Sequence, residues 1–159
     1  MRAAKARLPL IIAIIGGPAH RFAPYAQLYR QACEETGGRL PLGVHSPGHV
    51  ADTDELAQEQ VWPHWLALVT RLGRERGWSP PSRAQFEHEV QDGALYVGSP
   101  ETVARRIAAT VTELDLQRFE MKYASGPMDP AHLRRSLELY GTQVMPRVRE
   151  LVAQVPART

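Results

Sequence analysis

The chain has one cysteine, Cys33, in 159 residues, and little charge of either sign in excess. A lone cysteine excludes an internal disulfide and fits a reducing, cytoplasmic location. Lysine and arginine total 19 against 17 aspartate and glutamate, and the two signs are interspersed. Because neither a basic stripe nor a basic amphipathic face stands out, we expect no nucleic-acid partner and no membrane partner.

Long apolar runs are also scarce. The longest, LPLIIAII at residues 8–15, follows three basic residues as the apolar part of a secretory leader would. It is shorter than the roughly 18 residues that a membrane span needs, and no clear small-residue cleavage site follows it. A buried strand, covered on both faces in a parallel sheet, is the better interpretation.

Several catalytic signatures are missing. The sequence contains no Walker loop, no dinucleotide-binding glycine fingerprint and no GxSxG nucleophile motif. His45 and His49 are spaced as on a helix face, but Pro47 and Gly48 between them disfavour a helix. The other histidines are isolated, so we expect no metal site.

Strand and helix patterns alternate along the chain. This alternation predicts an α/β fold with a parallel sheet and flanking helices. Pro47 and Gly48 should interrupt the second strand, Pro63 should lie near a break or kink in the second helix, and Gly141 or Pro146 should bend the last helix. The predicted strands are 8–15, 40–50, 94–97 and 118–123; the predicted helices are 21–36, 54–72, 83–90, 100–114 and one from about 129.

The segment GALYVGSPETVARRI, residues 93–107, contains the clearest helix start. Ser99 suits an N-cap whose hydroxyl accepts a backbone N–H bond, Pro100 suits the first helical position, and Glu101 complements the helix dipole. A helix N-terminus after a glycine turn can also bind phosphate. Plain capping is the default interpretation, and phosphate binding is the alternative.

This segment also carries a family resemblance. Together with LPLIIAIIGG, RFAPYAQLYRQA, LPLGVHSPGHVADTDELAQEQVWPHW and SLELYGTQVMPRV, in that order, it resembles the luciferase-like flavin-dependent monooxygenases over nearly the whole chain. Members of that family are complete (β/α)8 TIM barrels, roughly twice this length. The resemblance therefore implies a partial TIM barrel, roughly the C-terminal half. Residues 1–159 would be one luciferase-like domain, truncated at its N-terminus.

The resemblance further implies an enzyme. Its cofactor would be FMN, supplied in reduced form by a separate flavin reductase, and its substrate a small organic molecule oxygenated with O2; some relatives use a deazaflavin instead. Because the cofactor carries the difficult step, no acid–base triad is expected, and no catalytic residue is identified.

Candidate cofactor-binding residues follow from barrel geometry, since functional groups lie at the C-terminal ends of the strands. Each candidate also has a structural interpretation: a tight turn for a glycine, or a hydrogen bond to a loop carbonyl for a histidine or serine. The candidates are Gly16, Gly17, His45, Ser46, Ser125 and Gly126.

Other residues near these strand ends rank lower. His49 is a weaker candidate than His45, and Tyr123 is better explained as a half-buried strand residue. The three tryptophans are better explained as core, because aromatic residues at helical spacing usually pack inside.

Two functions therefore stay open. The chain is either part of a flavin-dependent monooxygenase or a noncatalytic half-barrel that acts as a binding module. A half-barrel exposes two sheet edges and the faces of strands that would meet the other half. We therefore expect a homo-oligomer or a complementary barrel half as partner.

Overall fold

The computed structural model describes residues 2–124 and 126–155. Within these ranges, parallel strands alternate with helices, which confirms the predicted α/β fold. A 3₁₀ turn, Ala19–Phe22, precedes the helix Ala23–Glu35, and a π-helical segment, Tyr140–Val144, joins the last two helices. The elements are α1 (Arg2–Lys5), β1 (Leu10–Ala13), α2 (Ala23–Glu35), β2 (Leu42–Val50), α3 (Asp54–Arg74), α4 (Arg83–Gln91), β3 (Tyr96–Gly98), α5 (Pro100–Leu114), β4 (Arg118–Lys122), α6 (Pro130–Leu139) and α7 (Met145–Ala153).

The long strand β2 is the centre of the sheet. It pairs with β1 through residues 42–45, with β4 through 43–47 and with β3 through 48–50, always in parallel. The interruption predicted at Pro47 and Gly48 is a change of partner, because Pro47 is the last residue paired with β4 and Gly48 the first paired with β3. The strand itself continues to Val50, since the missing proline N–H falls where one ladder ends and the next begins.

The two faces of the sheet have different environments. Alternate residues of a strand point to opposite faces, and Val44 of β2 belongs to a buried cluster with Ile14 and Tyr29 of α2. On the other face, Gly43 lies between the side chains of Ile11 and Arg118. The Ile11 side chain is 40% exposed, so this second face is partly open to solvent.

Helices α3 and α4 cover the C-terminal end of the sheet beside β3. Leu95 and Val97 pack there in a buried cluster with Val61 of α3 and Phe86 of α4. The Phe86 ring lies 5.4 Å from Trp62 and 5.3 Å from Trp65, centroid to centroid. The tryptophans at positions 62 and 65 therefore belong to the packing of this layer, as the sequence predicted. Trp78 is 54% exposed, so the prediction that it is a core residue is wrong.

The start of α5 differs from the prediction in its capping. Ser99 is the N-cap residue, but its hydroxyl donates to Thr102 Oγ1 at 3.1 Å and caps no backbone N–H. Instead, Asp54 of α3 accepts from the Ser99 backbone N–H at 2.6 Å and from the Thr102 hydroxyl at 2.9 Å. The prediction of a hydroxyl cap is therefore wrong. A carboxylate from another helix takes the position that suits an anion, which argues against phosphate binding there.

Replacing Asp54 with alanine should lower the free energy of unfolding by about 1 kcal/mol, because α5 loses its cap and α3 its link to α5. Burial opposes ionisation, but the hydrogen bonds from Ser99 and Thr102 outweigh it and lower the pKa of Asp54 below 3.8. A carboxyl group whose pKa is lowered by folding stabilises the fold at pH values above its unfolded-state pKa. This stabilisation is lost as the pH falls through the folded-state pKa. Urea titrations at neutral and acidic pH measure both effects.

The exposed neighbour Glu55, also in the first turn of α3, supplies the control. Glu55→Ala should change stability by less than about 0.5 kcal/mol. Equal stability of the Asp54 and Glu55 variants at neutral pH would contradict the proposed role of Asp54.

The described residues contain neither a membrane-spanning helix nor a metal-binding cluster. None of their helices combines the length and the apolar character needed to cross a bilayer. No group of three or more histidine, cysteine, aspartate or glutamate side chains in these residues is arranged to hold a metal ion.

Candidate functional site

A cavity of about 280 Å³ lies between α3 and the C-terminal ends of the strands. The strand side is formed by Ile15 after β1, residues 47–49 of β2, Val97 of β3, and Lys122 and Tyr123 at the end of β4. In parallel (β/α) folds this end of the strands carries the functional groups. The remaining wall residues are Val61, His64, Trp65, Leu68, Val69, Leu72, Leu95 and Met128.

The cavity has a buried end and an open end. Val61, Leu95 and Val97 are buried in the wall beside β3. At the other end, Ile15 is 77% exposed and Tyr123 is 46% exposed. A ligand would therefore enter past the ends of β1 and β4.

His49 is the buried polar residue of this wall. It is 1% exposed, and its Nε2 lies 2.7 Å from Gln60 Oε1 on α3. Its Nδ1 has no hydrogen-bond partner within the part of the chain that the structure describes. Buried polar atoms are usually paired, so this nitrogen, which has almost no accessible surface, is an exception among the described residues.

The protonation state of His49 follows from its surroundings. Burial lowers the pKa of His49; the hydrogen bond with Gln60 opposes this shift, while His132 and His64 add to it. The imidazole is therefore neutral at neutral pH. With the Gln60 Oε1 as acceptor, the proton lies on Nε2, and Nδ1 is left as a hydrogen-bond acceptor.

Of the candidates after β1, Gly16 and Gly17 follow the cavity residue Ile15 directly. Gly17 has a φ of +74°, and its N–H donates to Glu89 Oε2 at 3.3 Å. Gly17 therefore lies in a tight turn, which is the structural interpretation given for the glycines in the sequence analysis. A side chain at Gly16 would meet no atom within 4 Å, so the backbone is accessible there.

His45 and Ser46 point to opposite faces of β2. Ser46 is fully buried, and its hydroxyl donates to the Ile14 carbonyl oxygen at 2.9 Å. His45 lies on the partly open face, where its Nδ1 is 3.9 Å from Glu120 Oε2 and its side chain is 33% exposed. These two candidates therefore cannot contact one ligand from the same face.

The last two candidates follow β4. Ser125 lies outside the described residues. Gly126 has a φ of +139°, and a Cβ built on it would lie 3.6 Å from the His64 Cβ. It adjoins the cavity through His64 without lining it. As flavin contacts, all six candidates stay predictions.

The cavity wall includes three residues that the sequence analysis ranks below the candidates: His49, Trp65 and Tyr123. His49 ranks below His45 in the sequence analysis, although both lie in the predicted strand 40–50. The signal was the period of two through residues 43, 45, 47 and 49, which puts His49 on the same face as His45. Trp65 required knowledge of how α3 crosses the strand ends.

Comparisons with known proteins give no family model and no curated protein that matches this sequence. Solved structures do match. The oxygenating constituent of 3,6-diketocamphane monooxygenase from Pseudomonas putida, in complex with FMN, is 21% identical with a TM-score of 0.68; the match covers 92% of this chain and 44% of that one. The monooxygenase RslO1 from Streptomyces bottropensis is 18% identical with a TM-score of 0.72, over 91% and 43% of the two chains.

A third match is a coenzyme F420 dependent tetrahydromethanopterin reductase from Methanopyrus kandleri, 12% identical with a TM-score of 0.58 over 92% of this chain and 47% of that one. The chain thus spans less than half the length of each of these three structures. It has the fold of the luciferase-like flavin monooxygenases and corresponds to part of their TIM barrel.

Proposed function

We propose that residues 1–159 form one domain of a flavin-dependent oxidoreductase, of the monooxygenase type, that acts on a small organic substrate with reduced flavin and O2. One observation carries the proposal. A cavity lined by Ile15, His49 and Tyr123 opens at the C-terminal ends of parallel strands, where folds of this class bind ligands. The likeness to monooxygenases, one of them in complex with FMN, supports it.

Two candidate residues near the strand ends have accessible groups. At Gly16 the backbone is open, and His45 presents a partly exposed imidazole on the face of β2 that contains His49. These two residues would contact the flavin, with FMN in reduced form from a reductase as the first choice and a deazaflavin as the second. The flavin supplies the redox chemistry. The apolar walls would orient the substrate and exclude water.

The open face of the sheet fits association with another barrel half. Ile11 is 40% exposed on it, and Arg118 and Glu120 of the edge strand β4 form an ion pair there at 2.7 Å. Exposed strand edges and apolar strand faces favour pairing with another chain. We therefore propose that the functional unit is a homo-oligomer, or a complex with a complementary half.

A titration with oxidised and reduced FMN tests the proposed function. Saturable binding at micromolar concentration is expected, followed by flavin fluorescence, with particle size measured by light scattering in the same samples. Gly16→Leu should weaken binding at least tenfold, because a side chain would occupy the open backbone surface. Gly141→Leu is the matched control, since it also meets no atom within 4 Å but lies in the π-helical segment away from the cavity.

Two results would contradict the proposal. The first is absence of binding of either FMN or a deazaflavin at every particle size observed. The second is equal binding by the two leucine variants and the unchanged protein. Absence of flavin binding would instead favour a noncatalytic half-barrel, which the partly open sheet face also allows.

A further inference from the structure

Three of the six histidines lie close together where β2, α3 and α6 meet. His64 of α3 and His132 of α6 line one groove together with Gln60. The Gln60 Oε1 lies 2.7 Å from the Nε2 of His49, which belongs to β2 and is 1% exposed. Because the ordinary pKa of histidine lies just below neutral pH, this cluster can gain charge under mild acidification.

The buried position of His49 opposes a charge on its ring. Its Nε2 is paired with Gln60, and its Nδ1 has almost no accessible surface and no partner among the described residues. A protonated imidazole donates from both nitrogens. Protonation in place would therefore bury a charge and leave one donor unsatisfied. It favours a conformation in which α3 has moved away from β2 and water reaches the ring.

The charged groups around His49 do not offset this cost. Glu59 of α3 and Asp129 at the start of α6 are exposed, and Lys122 is itself a cation. Neither carboxylate therefore supplies a buried counter-charge to a protonated His49. The titratable side chains that line the cavity and the groove beside His49 are Glu59, His64, Lys122, Tyr123, Asp129 and His132.

We propose that the three histidines form a pH-sensitive switch, in which acidification charges them and loosens the packing of α3 against the strand ends, with His49 as the trigger. Because α3 forms one wall of the cavity, its loosening opens the cavity to solvent. The switch requires no flavin and is a property beyond the proposed function.

The direction of the pH dependence follows from the environment of His49. Burial is the largest cause of its lowered pKa, and the hydrogen bond with Gln60 opposes this shift. His132 and His64 lower the pKa further. The closed form therefore has its full stability above the ordinary histidine pKa of 6.5 and loses stability as the pH falls below it, because the open form binds protons more readily.

Amide hydrogen exchange of the full chain, followed by mass spectrometry, measures this opening. Protection factors, which correct for the intrinsic effect of pH on exchange, should fall about 30-fold in α3 between about pH 7.5 and about pH 5. That is the effect of one imidazole that is protonated only in the open form. Helix α5 packs in a different buried cluster, so its protection should fall less than about threefold.

A non-titrating variant tests the trigger. His49→Gln keeps an N–H donor for Gln60, so protection of α3 should fall less than about threefold over the same pH range. His88→Gln is the matched control, because His88 is 70% exposed on α4, and it should keep the full effect. Circular dichroism confirms that each variant is folded. If His49→Gln does not fold, the double variant His64→Gln with His132→Gln replaces it and should reduce the effect at least threefold, about 0.5 in pKa.

Four results would overturn the proposal. Protection of α3 that does not change with pH would show that no switch exists. An equal fall in α3 and α5 would show acid unfolding of the whole fold. The third result is the full effect in folded His49→Gln, and the fourth is the full effect in the double variant where His49→Gln does not fold. Because these measurements contain no flavin, their failure is distinct from failure of the FMN titration.

Discussion

Arg106→Met should lower the free energy of unfolding by about 3 kcal/mol. The Arg106 guanidinium donates to the carbonyl oxygens of Val90, Gly93 and Leu95, which fixes the loop from α4 to β3. It also lies 4.8 Å from the centroid of the Tyr96 ring. Methionine keeps much of the apolar stem and removes all of the donors, so three carbonyl groups lose a partner. Chemical denaturation followed by circular dichroism measures the loss.

The adjacent Arg105 supplies the control. Its side chain is 64% exposed and pairs with Glu101 one helical turn earlier, at 2.6 Å. Because exposed ion pairs contribute little, Arg105→Met should change stability by less than about 0.5 kcal/mol. Equal losses for the two variants would show that the loop carbonyl groups do not depend on Arg106.

Gly48→Ala should also destabilise the fold, by about 3 kcal/mol. A Cβ on Gly48 would lie 2.7 Å from the Tyr96 carbonyl oxygen and 2.6 Å from the Met121 Sδ. Methionine can move aside, but the carbonyl oxygen belongs to the β3 backbone that pairs with β2. The substitution should therefore force β3 away from β2, and its effect is measured as a lowered thermal unfolding midpoint.

Gly16→Ala is the control for this substitution. No atom lies within 4 Å of a Cβ at Gly16, and its φ is outside the left-handed region. Alanine there should leave stability unchanged or raise it slightly, because it restricts the unfolded chain. If Gly48→Ala were as stable as Gly16→Ala, the Tyr96 carbonyl oxygen of β3 would not lie as close to Gly48 of β2 as the structure places it.

Much of the fold was readable from local patterns. The strand, glycine turn and helix of residues 94–114 are present, because an apolar run and a proline at the first helical position act over a few residues. Near Gly141, where the sequence predicts a bend, the helix has π-helical geometry over Tyr140–Val144. Helix α3 continues through Pro63 as far as Arg74, so Pro63 does not end it. Packing of α3 against the strand ends outweighed the local cost of the proline.

Contacts between residues distant in the sequence determine the features that local patterns do not predict. Asp54 and Ser99 are 45 residues apart, so sequence reasoning assigned the cap of α5 to the nearest hydroxyl. Likewise, His45 and His49 are equivalent in sequence as histidines near a strand end. Only the packing of α3 buries His49, pairs its Nε2 with Gln60 and leaves Nδ1 without a partner among the described residues.

By itself, the sequence determined the alternation of strands and helices and the parallel sheet, because periodicity, turns and caps are local properties. The tertiary structure decided which residues form the cavity and which of them are already paired. It placed Ser46 in the core and His49 in the cavity wall. Burial and hydrogen-bond partners depend on segments distant in the chain, and those become neighbours only when the sheet and its covering helices assemble.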